Sequence, residues 1–215
     1  LILIIMEVKC FTFNDYQENT YLITEGNNCI IIDPGNYYEE ENKIIKNYIE
    51  EKSLIPQFIL ITHTHIDHIL GINFLSTLYP IKTYIPLSEK NIYDEMESYA
   101  TMFGMQHYTH KKDVSTIDES TNLSFMGNKI TILSLPGHSP GHIAFYFKDH
   151  KICFSGDVIF KNSIGRTDLP GGDFDTLINS IKKRLFLIDD STTVFPGHGP
   201  ITSIGDEKSN NPFLN

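Results

Sequence analysis

The sequence predicts a mixed α and β fold whose element order suits four layers, α/β/β/α, with two sheets packed face to face and helices outside. Short apolar runs bounded by turn residues recur in both halves of the chain, and helical periodicities fall between them. The near-continuous apolar run Phe58 to Thr62 leads straight into a histidine cluster, the pattern of strand, ligand loop and helix. A chain of 215 residues with 40% hydrophobic content is long enough to bury a full core, so residues 1–215 are expected to form one domain.

The opening runs, Leu3 to Phe13, Thr20 to Thr24 and Cys29 to Asp33, are separated by Asn/Asp and Gly-Asn-Asn turn signals and predict an antiparallel opening sheet. From Tyr37 to Lys52, Ile44, Ile45, Tyr48 and Ile49 stand at helical spacing, and Pro56 then introduces the buried strand Phe58 to Thr62. Ile66, Ile69, Leu70, Phe74, Leu75 and Leu78 form one helical face, and a strand from Thr83 to Ile85 ends at Pro86. A helix from Glu89 to Thr101 lies in a polar, aromatic stretch from Ser88 to Asp113. Tyr99, Phe103, His107, Tyr108 and His110 there either line a lid or pack onto the core. Strands resume at Asn122 to Phe125, Lys129 to Leu135, Ile143 to Phe147 and Lys151 to Ser155. A helix from Phe174 to Leu185 and a strand near Thr193 to Phe195 complete the pattern.

A net charge of -10 works against a phosphate-backbone partner, so no nucleic-acid substrate is expected. Cys10, Cys29 and Cys153 are far apart in apolar surroundings and read as reduced core thiols in a reducing, cytoplasmic compartment. The opening LILIIM is apolar but lacks a basic leader, and polar residues begin at Glu7. Neither a signal peptide nor a membrane partner is expected, and Met6 is a plausible natural start.

His63-Thr64-His65-Ile66-Asp67-His68 packs three imidazoles and a carboxylate into six positions at a strand end, where a loop can turn all four inward. His138 in Leu-Pro-Gly-His, Asp157 in Phe-Ser-Gly-Asp and His198 in Phe-Pro-Gly-His each follow an apolar strand and a glycine, which permits a tight turn. Seven nitrogen and oxygen ligands exceed the needs of one tetrahedral zinc and suit two ions. Zinc is the expected metal of a histidine-rich set, and imidazole with carboxylate also suits iron or manganese. Asp33 is either the acceptor for a ligand imidazole or a turn former in Asp-Pro-Gly. His142 reads as a core histidine or a support for the ligands. Arg166 either recognises a substrate carboxylate or pairs with Asp168 or Asp173 to shape its loop.

These residues resemble the metallo-β-lactamase superfamily, whose His-x-His-x-Asp-His signature is met at His63 to His68. The likeness runs from Asn19-Thr20-Tyr21 and Ile32-Asp33-Pro34-Gly35 to Asn211-Pro212-Phe213, and it implies a metallo-β-lactamase-like sandwich. It further implies one metal on His63, His65 and His138, a second on Asp67, His68 and His198, and Asp157 bridging both. Gly165-Arg166-Thr167-Asp168-Leu169-Pro170-Gly171-Gly172 is similar to short glyoxalase II-type hydrolases of hydroxyacyl-glutathione thioesters. The long form carries an added helical domain that helps bind glutathione, whereas 17 residues follow His198 here.

The expected reaction is hydrolysis of an acyl thioester such as S-D-lactoylglutathione by a hydroxide bridging the two ions, with Asp67 orienting it. The main rival is a persulfide dioxygenase, which shares the fold and the Gly-Arg-Thr-Asp element but uses one iron. His198-Gly199-Pro200 argues for the hydrolases. Lactonase and β-lactamase chemistry remain open to the same hydroxide.

Overall fold

The computed structural model describes residues 6–215; the residues before Met6, which include the start of the run from Leu3, lie outside them. The chain divides into two compact units, one running to Ile85 and including Lys90–Thr116, the other made of Pro86–Glu89 and Ile117–Asn215.

The first unit is built on a mixed sheet of order β1-β2-β3-β4-β5-β6. β1 (Glu7–Phe13) and β2 (Glu18–Glu25) pair antiparallel, and β2 pairs antiparallel with β3 (Asn28–Ile32). Helix α1 (Glu39–Glu51) then returns the chain so that β4 (Ile55–Leu60) lies parallel to β3. Glu41 accepts the backbone N–H groups of Tyr37 and Tyr38 at 2.8 and 3.1 Å, satisfying donors at the helix entry. The helix buries Ile45 and Ile49 among Leu22, Ile31, Ile59, Leu75 and Tyr93, the core of this unit. β5 (Lys82–Pro86) is again parallel to β4, and β6 (Ser115–Ile117) is the edge strand of the order. Parallel pairing aligns the carboxyl ends of β3 and β4, with Ile32 opposite Leu60, so the segments after them leave side by side.

The helical face expected from Ile66 to Leu78 is broken. A 3-10 turn covers Ile66–His68, and α2 begins at Ile72 and ends at Leu78. Gly71 stands at the break and packs closely against Asn36, where an added Cβ would stand 2.0 Å from its Oδ1. Helix α3 (Lys90–Tyr99) is followed by a 3-10 turn, Ala100–Phe103. Tyr93, Met96, Ala100 and Met105 of this stretch join the core, while Tyr99 and Phe103 are each 45% exposed.

The second unit carries a mixed sheet of order β14-β13-β10-β9-β8-β7. β7 (Leu123–Phe125), β8 (Asn128–Ser134), β9 (Ile143–Phe147) and β10 (Ile152–Gly156) pair antiparallel in succession. A small hairpin follows, β11 (Ile159–Phe160) with β12 (Ser163–Ile164). Helix α4 (Phe174–Lys183), capped by the Asp173 carboxylate accepting the Thr176 N–H at 2.7 Å, leads to β13 (Thr193–Pro196), parallel to β10. β14 (Thr202–Ser203) and α5 (Ile204–Asn210) close the chain. Leu135, Ala144, Cys153, Leu177, Ile181 and Val194 form the core here. The strands β6, β11, β12 and β14 and helix α5 were not expected: the strands are two or three residues long, and α5 is a short, largely polar helix with no apolar face to read. Among the described residues, no helix is long and apolar enough to cross a membrane.

Candidate metal centre

In the first unit, the segment after β4 carries Thr62, His63, His65, Asp67 and His68, and the segment after β3 carries Asp33. Asp33 adopts a left-handed backbone, φ +48°, which turns the chain sharply into Pro34 and Gly35. Its carboxylate reaches across: Oδ1 accepts the Thr62 N–H at 2.7 Å, and Oδ2 accepts the Thr62 hydroxyl at 2.6 Å. The same Oδ2 lies 3.1 Å from Nδ1 of His68. The Thr62 hydroxyl, donating to Asp33, can accept from Nδ1 of His63 at 3.1 Å. One buried carboxylate therefore fixes two imidazoles, His68 directly and His63 through Thr62, and in both it favours the tautomer with Nε2 bare.

The bare nitrogens face other ligand-type atoms. Nε2 of His63 stands 3.1 Å from Nδ1 of His65, and Nε2 of His68 stands 3.7 Å from Oδ2 of Asp67. Asn14, at the turn between β1 and β2, donates to the carbonyls of Gly35 and Asp67 at 3.0 and 3.1 Å and so ties the loop down. Glu18 is completely buried, accepts the Thr20 hydroxyl at 2.9 Å, and lies 3.9 Å from Nδ1 of His68. Burial lifts its carboxyl well above the usual range. Thr62, Asn14 and Glu18 were not expected: Thr62 is a polar residue beside the motif, and Asn14 and Glu18 are polar residues at the turn between β1 and β2, far from it in sequence.

In the second unit, β10 and β13 end side by side, with Gly156 opposite Pro196, so Asp157 and His198 emerge together. The Gly197 N–H donates to the Gly156 carbonyl at 2.9 Å and holds the two exits in register. Oδ2 of Asp157 lies 3.5 Å from Nε2 of His138 and 3.5 Å from Nε2 of His198. Nδ1 of His138 is 2.7 Å from the Arg166 carbonyl, which accepts a hydrogen bond from Nδ1–H and so leaves Nε2 as the metal-binding atom. His142, buried, accepts the backbone N–H of Asp157 on its Nε2 at 3.0 Å; that nitrogen supports the aspartate. Gly165 is required, because a Cβ there would stand 1.9 Å from the Asp157 carbonyl and 3.1 Å from Nδ1 of His138. The Arg166 guanidinium is held in a two-point bond by Asp168, 2.7 Å on each arm, and that pairing holds the Asp168 carboxyl down at about 2.

The first unit thus brings His63, His65, Asp67 and His68 together in two pairs, and the second sets Asp157 between His138 and His198. Lone pairs of imidazole nitrogen and carboxylate oxygen converge in both units, an arrangement that repels itself and that divalent cations relieve. The donor chemistry fits a metal.

A family model described as the metallo-beta-lactamase superfamily matches residues 13–198. The chain belongs to this superfamily. A probable metallo-hydrolase, YqgX of Bacillus subtilis, is 38% identical over 93% of each chain. The hydroxyacylglutathione hydrolase GloC of Haemophilus influenzae is 36% identical over 98% of this chain and 99% of its own. A solved structure, TTHA1623 in a di-iron-bound form, is 36% identical, with a TM-score of 0.85 over 96% of this chain and all of the other. The superfamily's fold of two mixed sheets flanked by helices is the fold seen here, and the expected fold class holds. As a member, the chain is a metal-dependent hydrolase of that fold with His and Asp groups of metal-binding kind.

Proposed function

We propose that the seven ligand-type residues hold two divalent ions, zinc by preference with iron or manganese as substitutes, and that the chain hydrolyses hydroxyacyl thioesters such as S-D-lactoylglutathione. The observation that carries this is the placement of Asp157, whose Oδ2 lies 3.5 Å from Nε2 of His138 and 3.5 Å from Nε2 of His198, so that one carboxylate could serve both ions. In this reading His63, His65 and His138 take one ion, Asp67, His68 and His198 the other. GloC of Haemophilus influenzae supports the substrate class, and TTHA1623 supports a dinuclear centre.

Ions bound there supply Lewis acidity, which lowers the pKa of water from 15.7 to about 7 and polarises an acyl carbonyl. Asp67 orients the attacking water. Asp33 and the Arg166 carbonyl keep protons on the far nitrogens of His68 and His138, so the near ones stay bare. The departing thiol, with an ordinary pKa of about 8.5, leaves without a proton donor. Arg166 meets a substrate carboxylate only by exchanging Asp168, and an exposed pair of this kind is weakly held in water. The thiols Cys10, Cys29 and Cys153 support a reducing, cytoplasmic setting.

The test is hydrolysis of S-D-lactoylglutathione by purified, metal-analysed protein beside a His198→Ala variant. Two metals with turnover, and loss of one metal and most activity in the variant, is the expected result. One iron and no hydrolysis would point to persulfide oxidation instead.

A further inference from the structure

One buried carboxylate of the second unit has no part in the chemistry above. Glu89 ends the short 3-10 turn Leu87–Glu89 and is completely buried. Its Oε1 accepts the Ser139 hydroxyl at 2.9 Å and the Gly141 N–H at 2.6 Å. These two donors flank Pro140, which has no N–H, so one oxygen spans the whole tripeptide. The approach is tight: a Cβ on Gly141 would stand 2.8 Å from Cγ of Glu89 and 2.8 Å from the Ser88 carbonyl carbon.

The tripeptide joins His138 to His142. His138 presents Nε2 3.5 Å from Oδ2 of Asp157, and His142 accepts the backbone N–H of Asp157 at 3.0 Å. Holding Ser139 to Gly141 therefore fixes two candidate ligands together, His138 through the chain and Asp157 through His142. An apolar side chain here would leave the Ser139 hydroxyl and the Gly141 N–H without this acceptor in the interior.

We infer that Glu89 is a positioning residue for metal loading: its Oε1 sets the spacing of His138 and Asp157 before an ion arrives. This rests on the metal-centre reading given above. The test compares wild type, Glu89→Gln, Glu89→Ala and Ser139→Ala for bound metal, for affinity in competition with a chromophoric chelator, and for visible absorption after cobalt loading. Circular dichroism and urea unfolding of the metal-free proteins report folding separately. Glu89→Ala is expected to lose about 10–100-fold in affinity, the usual cost of removing a supporting hydrogen bond, with a changed cobalt spectrum. Glu89→Gln keeps a carbonyl oxygen for both bonds and should recover most of the affinity; Ser139→Ala, which loses one bond, should fall between. A folded Glu89→Ala variant with wild-type affinity and spectrum overturns the inference, and so does Glu89→Gln behaving like the alanine variant. Should Glu89→Ala not fold, the Gln and Ser139 variants decide. A wild type that takes up no metal would overturn the metal-centre reading itself, and that failure is visible before any variant is compared.

Discussion

Replacing Asp33 by asparagine separates support of the metal ligands from support of the fold. The carboxylate accepts three bonds, the Thr62 N–H at 2.7 Å and the Thr62 hydroxyl at 2.6 Å, with Nδ1 of His68 at 3.1 Å. Asparagine can keep its amide oxygen on the Thr62 N–H, and its NH2 then replaces the oxygen that faces Thr62 and His68. A hydroxyl can rotate to accept from that group. His68 cannot keep Nδ1–H against it, so the ring shifts its proton to Nε2, the atom a metal needs. Loss of such a supporting partner costs about 10–100-fold in metal affinity, or about 1.4–2.8 kcal/mol. The metal-free protein retains a hydrogen bond at each position, so its stability falls by less, about 0.5–1.5 kcal/mol for the exchange of bond types. Chelator competition gives the first quantity, and urea unfolding of the metal-free protein gives the second. Asp33→Asn binding its metals within about twofold of wild type would refute the argument that this carboxylate sets the His68 tautomer.

The other predictions concern packing and burial. Gly165→Ala should lower bound metal sharply, since its Cβ would press on the Asp157 carbonyl at 1.9 Å and on Nδ1 of His138. Gly26→Ala, with nothing within 4 Å, should cost only about 1–2 kcal/mol for its positive φ and leave metal content unchanged; elemental analysis distinguishes them. Burial pushes the Cys29 and Cys153 thiols up to about 12, so both stay protonated at pH 8. Iodoacetamide followed by mass spectrometry should label Cys10 first and the other two only after denaturation. Their folded pKa values lie above the unfolded value of about 8.5, so the stability they contribute is intact below that pH and is lost as the pH rises towards 12. Unfolding midpoints that do not fall between pH 7 and 10 would contradict that sign.

The sequence by itself determined the mixed α and β class, the superfamily and the candidate ligand set, because these depend on local order. Apolar runs of five to eight residues, such as those of β2, β3 and β9, carry their own strand signal, and His63 to His68 concentrates ligand types within one loop. Elements such as β11, β12 and β14, two residues each, were illegible because their stability comes from their neighbours. Tertiary structure alone decided which nitrogen His68 and His138 present. That choice is made by acceptors distant in sequence: Asp33 for His68, 35 residues away, and the Arg166 carbonyl for His138, 28 residues away. It also decided the parts taken by His142 and Glu89, since a buried polar side chain has no pattern of its own along the chain. Its role is set by the donors and acceptors that the fold carries to it.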